Sequence, residues 1–282
     1  MKFIQIIYIM KRVFIRIEDK RRNRRKWGFH LAIIITMLVL GMLLGFVGAG
    51  GAGFIIAILT LMFHIPIHTA LGTSLAAMAF TCLSGVVSHY RGGNIAVTAG
   101  IVVGAFGAIG AFFGSMVAAI IPTAQLHWFT GGMLIFSSIL FVFRLFLLKQ
   151  PSAVREASAA SENNYGFWIR AIILGLLSGL MSGSFGIGAA PFIQLGLMIF
   201  LGLSVRHSVG TAMLVILPIA IGGGLGFGTS GFVDVILLIQ ILVGSMTGAY
   251  IGAKFTNLAP KSVLKISMIS TPAAAGLLLI LG

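Results

Sequence analysis

The sequence predicts an all-α, polytopic membrane protein, and three observations carry that prediction. Hydrophobic residues make up 59% of the 282 positions and charged residues only 9%, with a mean hydropathy of +1.11, whereas soluble domains carry about 25% charged residues. Apolar runs of about 20 residues, long enough to cross hydrocarbon as helices, recur along nearly the whole chain after residue 30. The third is an internal repeat. Because a span in lipid must satisfy its own backbone hydrogen bonds, the spans are helical.

The repeat emerges when the chain is set against itself at an offset of 138 residues. Gly41, Gly45, Gly48 and Gly50 then fall on Gly179, Gly183, Gly186 and Gly188, and Gly72-Thr73 on Gly210-Thr211. Farther on, Gly85, Gly93, Gly110, Gly114 and Pro122 meet Gly223, Gly231, Gly248, Gly252 and Pro260. Two tandem copies of one membrane unit follow, at 31–148 and 168–282, preceded by a basic terminus (1–30) and joined by the polar linker 149–167, KQPSAVREASAASENNYGF.

The N-terminus holds 10 of the 19 Lys and Arg, including KRRNRRK at 20–26, which accounts for much of the net charge of +14. A basic cluster just ahead of a first span holds that end in the cytoplasm and attracts anionic headgroups, so the charge points to topology rather than to nucleic acid. Phe3, Ile6, Ile7, Met10, Phe14 and Ile17 fall at helical spacing, which suggests a short interfacial helix. Its apolar run is too short to span, no small-residue cleavage site follows it, and Met10 is an alternative start. The single cysteine, Cys82, excludes an intrachain disulfide.

Each unit opens with a long glycine-broken apolar segment, 31–63 and 168–203. Three simpler spans follow, near 70–90, 95–121 and 126–148 in the first unit and near 208–228, 233–255 and 263–282 in the second. If each broken segment crosses once, there are about eight spans, the units share one orientation and the linker lies in the cytoplasm with the N-terminus. An odd number of crossings inverts the units and puts the linker outside. The eight-span arrangement is preferred, because Arg144, Lys149, Arg155 and Arg170 then lie inside, although Lys254, Lys261 and Lys265 count against it.

The break in the first unit, Gly48-Ala-Gly-Gly-Ala-Gly53, has the spacing of a dinucleotide loop. That motif needs a preceding strand, a following helix and an acidic residue roughly 20 positions on. Here both flanks are apolar, and no Asp or Glu occurs between Asp19 and Glu156. Matched interruptions in two repeats point instead to a transporter's binding site. A broken helix exposes backbone N–H groups and a positive dipole end, and glycine lets that backbone approach an anion. Candidate anion ligands are therefore Gly48, Gly50 and Gly51 with Gly186 and Gly188. The matched stretches Ile67–Ser74 and Val205–Ala212 add Thr73, Ser74, Arg206, His207 and Thr211, since hydroxyls and a guanidinium suit an oxyanion. Capping and surface roles for these side chains stay open beside the ligand role. Gly110 and Gly114, and Gly244, Gly248 and Gly252, are read as helix-packing residues.

His64 and His68 have zinc-pair spacing, but Pro66 interrupts the face and no Cys, Asp or Glu completes a site, so no metal or other cofactor is expected. His89 and His207, each beside an arginine, are candidates for proton coupling, against the commoner fate of a surface histidine at a span end. Asp234 is the only carboxylate in either unit, which leaves no material for a buried carboxylate relay. Two rival functions remain: a passive anion channel, and an intramembrane hydrolase in which a histidine would activate Ser184. A homo-oligomer is left open.

Gly45-Phe-Val-Gly-Ala-Gly-Gly-Ala, its counterpart Gly183-Ser-Phe-Gly-Ile-Gly-Ala-Ala-Pro, and the Gly72-Thr73-Ser74 and Gly210-Thr211 pairs resemble the TauE/SafE family over roughly 31–282. That family's triple glycine is cut short in both halves here. The resemblance implies a permease for small sulfur-containing anions such as sulfite, acting as an exporter in the plasma membrane.

Overall fold

The computed structural model describes residues 25–47, 52–143, 165–185 and 189–281. Ten helices account for nearly all of them: α1 (Arg25–Val47), α2 (Ala52–Leu61), α3 (Ile67–Arg91), α4 (Val97–Ile120), α5 (Thr123–Val142), α6 (Tyr165–Phe185), α7 (Ala190–Phe200), α8 (Val205–Thr229), α9 (Val235–Leu258) and α10 (Lys261–Leu281). Seven are long and apolar enough to cross a membrane: α1, α3, α4, α6, α8, α9 and α10. The described residues are thus all-helical, those of a multi-pass membrane protein. The N-terminal interfacial helix and most of the linker expected from sequence lie outside the described residues.

Helix ends follow local chemistry. Pro66 and Pro122 immediately precede α3 and α5, where a missing N–H and a fixed φ suit a helix start. The Asp234 carboxylate caps α9 by accepting from the amides of Ile236 and Leu237 at 2.9 and 3.0 Å. Gly93, Gly202 and Gly231 turn the chain between helices at positive φ.

Small residues set the packing. A Cβ on Gly41 or Gly45 of α1 would strike the backbone of Ser245 or Ala249 on α9. At the offset of 138 residues, Gly179 and Gly183 of α6 meet Gly107 and Ala111 of α4 in the same way. Gly110 and Gly114 lie against Leu176 and Leu180, while Gly248 and Gly252 lie against Leu38 and Met42. These are close helix approaches that only small residues permit. Each half therefore packs its first helix on the other half's fourth.

The direction of the helices departs from the eight-span arrangement. Moving up α3, Gly72 faces Phe227, Leu75 faces Gly223 and Gly85 faces Met213, so α3 and α8 run antiparallel. Thr81 bonds Ser245 and Arg91 bonds Tyr250, so α3 and α9 run parallel, as do α1 and α9 through the glycine contacts above. Hence α1 and α3 point the same way, and the chain must return across the bundle between Val47 and Ile67. α2 has 10 residues, about 15 Å at 1.5 Å per residue, so it makes only part of that return. By the same contacts α4 runs parallel to α6 and α8, which places the start of α6 at the opposite end of the bundle from the start of α1. The expected shared orientation of the two units, with the linker beside the N-terminus, is corrected: each glycine-broken segment is two helices, the second a short return leg.

Candidate functional site

The last described turn of α1 lies inside the bundle, and its carbonyls accept from side chains. Three side chains from three other helices satisfy them in succession. His89 Nε2 on α3 donates to Gly45 O at 3.2 Å, Thr256 Oγ1 on α9 donates to Phe46 O at 2.9 Å, and Gln194 Nε2 on α7 donates to Val47 O at 3.0 Å. All three residues are buried. At the corresponding end of α6, Thr130 Oγ1 donates to Phe185 O at 3.2 Å.

α7 begins under local strain. Ala189, its N-cap, has φ +42°, in the left-handed region that non-glycine residues rarely enter, and Pro191 occupies its first turn. Gln194 lies one turn farther along. Its bond to Val47 therefore ties the helix following the second glycine cluster to the helix preceding the first. The last described turn of α1 and the first turns of α7 thus meet in the interior, the carbonyl-directed end of a helix from one half beside the N-terminal, electropositive start of a helix from the other.

The glycines expected to cradle an anion, Gly48, Gly50, Gly51, Gly186 and Gly188, lie outside the described residues. The expected side-chain ligands are dispersed. Thr73 Oγ1 accepts from the Asp234 amide at 3.0 Å, and Thr211 Oγ1 accepts from the Ala96 amide at 2.9 Å. Since α3 and α8 are antiparallel, these two threonines sit at opposite ends of the bundle, on the order of 20 Å apart along its axis. Arg206 Nη2 donates to Ala259 O at 3.1 Å at the end of α9, and His207 Nδ1 lies 3.0 Å from the Ser204 hydroxyl that caps α8. Ser74 is buried, and its hydroxyl has no partner among the described residues; the same holds for Ser182 on α6 and for Arg206 Nε.

Gln194, Thr256 and Thr130 were not singled out by the sequence reading. The one legible signal was Gln194, the only amide side chain in Phe192–Phe200. Ser184 lies within α6 with its amide against Gly114, and no histidine hydrogen bond to it is found among the described residues. His64 adopts φ +53° in the turn before α3, while His68 bonds Ile121 O at 3.2 Å and stacks on Phe232. A cavity of about 340 Å³ lies between α5, α6 and α7, walled by Leu140, Leu174, Met181, Phe192 and Phe200 among others. Its almost wholly apolar wall offers nothing to an anion.

Comparison with known proteins adds the following. The family described as Sulfite exporter TauE/SafE matches residues 33–279. A protein of Bacillus subtilis named "Probable membrane transporter protein YdhB" is 59% identical over 250 residues, spanning 89% of this chain and all of the relative. Two more distant relatives are YjnA of the same organism, 25% identical over 89% of this chain and 99% of its own length, and MJ0441 of Methanocaldococcus jannaschii, 26% identical over 88% and 94%. Both carry the same description as membrane transporters. No solved structure gives a significant match.

Proposed function

The chain belongs to the sulfite exporter TauE/SafE family, and from that membership we propose that it is a secondary transporter exporting a small sulfur-containing anion, sulfite or an organosulfur oxyanion, across the plasma membrane. The observation that carries this reading is the Gln194–Val47 bond, which ties the helix that follows one glycine cluster in sequence to the helix that precedes the other. Discontinuous helices at the interface of two repeats are where secondary transporters hold substrate, with exposed N-termini facing the anionic group.

The two units at 31–148 and 168–282 are inverted repeats in this reading. Every close glycine contact between α1 and α9 has a partner between α6 and α4 at the 138-residue offset, and α3 lies antiparallel to α8. A pair of inverted halves supports alternating access by rocking of one half against the other about the fixed site. Ser74 and Ser182 are added to the glycine clusters as candidate polar groups, since each is buried with an unused hydroxyl. Thr73, Thr211, Arg206 and His207 are better placed to brace helix ends at the two membrane faces.

The basic residues of 1–26 support a cytoplasmic N-terminus in this reading. Export of one negative charge from a cell with a negative interior releases about 2.3 kcal/mol per 100 mV. Purified protein in liposomes loaded with sulfite should show efflux that rises with an applied potential and falls when Gly50 and Gly188 are replaced by Leu. Potential-independent flux, or none with sulfite, thiosulfate or a sulfonate, overturns the proposal.

A further inference from the structure

We propose that His89 is the proton-binding site that couples transport to the proton gradient, acting at the carbonyl end of α1. The inference rests on the transport reading above but on a different observation. Apart from the Cys82 thiol, His89 is the one titratable side chain wholly buried among the described residues, and an ionisable group inside a membrane bundle is costly to keep.

Its hydrogen bonding is half complete. A carbonyl acceptor requires that Nε2 carry hydrogen, so the bond to Gly45 O makes neutral His89 present a bare Nδ1 acceptor, and that nitrogen has no partner among the described residues. Protonation turns Nδ1 into a donor and places a positive charge at the electronegative end of α1, where the helix dipole favours it. Neither state is fully satisfied by the described residues around it. A group poised in this way responds to a change in its neighbours, and its nearest neighbour is the carbonyl end that precedes the first glycine cluster.

The arrangement is also one-sided. At the 138-residue offset, His89, Thr256 and Gln194 correspond to Phe227, Ala118 and Ile56, none of which can donate from its side chain. The halves that match in their glycine contacts thus differ in what caps the broken helix. At the corresponding end of α6 the donor is the Thr130 hydroxyl, bonded to Phe185 O, so no histidine serves there.

Among the described residues, no carboxylate faces His89. On α3 itself Arg91 donates to the Tyr250 hydroxyl at 3.4 Å, and on α9 Lys254 lies over the Tyr250 ring at 4.6 Å. Arg206 and His207, on α8 at the same end of the bundle, are bonded to Ala259 and Ser204. α1 beyond His30, α2 and α7 bring no titratable side chain, and Asp234 caps α9 at the far end. The proton itself is then the charge that this position exchanges.

The test uses the full chain in lipid nanodiscs with 15N-labelled histidine. The signal missing in His89→Gln, a variant that keeps one donor for Gly45 O but cannot titrate, identifies His89. Its ring nitrogens should pass from one protonated nitrogen to two as pH is lowered through the range in which the protein stays folded. A signal that stays a single neutral tautomer over that range overturns the proposal. If His89→Gln does not fold, the wild-type signal protected from a soluble paramagnetic agent serves in its place. In sulfite-loaded liposomes containing a pH-sensitive dye, the ratio of proton movement to sulfite movement should fall at least tenfold in the variant relative to the wild type, and an undiminished ratio overturns the coupling role. Absence of sulfite flux from the wild type counts against the transport reading alone and leaves the titration to decide this one.

Discussion

The Asp234 amide donates to the Thr73 hydroxyl at 3.0 Å, joining the start of α9 to the first turns of α3 across the bundle. The residues 138 positions away from each, Thr211 and Ala96, make the same bond at 2.9 Å at the other end. Both threonines are fully buried, and each satisfies a loop amide that would otherwise lack a partner. They act as paired braces between the halves.

Replacing either threonine with valine keeps the shape and removes the acceptor. A buried donor left unsatisfied costs about 1–3 kcal/mol, so Thr73→Val and Thr211→Val should each lower stability by that amount in equilibrium unfolding in detergent. Their distance predicts additivity, with the double variant losing the sum within about 0.5 kcal/mol. An anion-dependent stabilisation that disappears in either single variant would show that the hydroxyl binds substrate as well.

The glycine seams predict a sharper contrast. Gly179 packs against the Gly107 backbone, so any Cβ there must part α4 from α6, whereas nothing lies within 4 Å of a Cβ built on Gly132. Gly179→Val should yield no monodisperse protein on size exclusion. Gly132→Ala should leave the elution profile unchanged and raise stability by up to about 1 kcal/mol, the usual helical gain over glycine.

These contrasts mark what sequence could and could not disclose. The offset was legible because close helix approach demands glycine at Gly41, Gly45, Gly110 and Gly114, and the demand recurs at Gly179, Gly183, Gly248 and Gly252. The relative orientation of the units was not, because the 10-residue α2 offers no separate 20-residue apolar window. Thr73 and Thr211 stood out by position, but their partners lie 161 and 115 residues away, and no spacing rule reaches that far. His89 looked like a surface histidine at a span end. Only the packing of α1 against α3 and α9 buries it.

Helix direction gives a topological prediction. The turn after α3 and the turn after α8 lie at opposite ends of the bundle, whereas an eight-span arrangement puts them on one side. On a Cys82→Ala background, single cysteines at Gly92 and Ser230, both exposed, should react with a membrane-impermeant maleimide from opposite sides of inverted and right-side-out vesicles. Labelling of both from the same side would refute the antiparallel arrangement of α3 and α8. The same experiment fixes which end faces the cytoplasm. It weighs the cluster at 20–26 against Arg91, Arg170, Arg206, Lys254 and Lys265 at the other end.

Gln194 is the side chain on which the transport reading depends most directly. It is 1% exposed and reaches from the helix after one interruption to the carbonyl before the other. Gln194→Leu removes the donor with little change in volume and leaves the Val47 carbonyl without that donor. A stability loss of about 1–3 kcal/mol is expected on that ground alone, and a brace of the bundle would show nothing more. If the bond also registers the two halves against each other during rocking, sulfite flux in liposomes should fall at least tenfold, with the protein still monodisperse and still inserted. Flux within twofold of wild type, beside the expected stability loss, would reduce Gln194 to a helix cap and separate the binding site from the junction of the two interruptions.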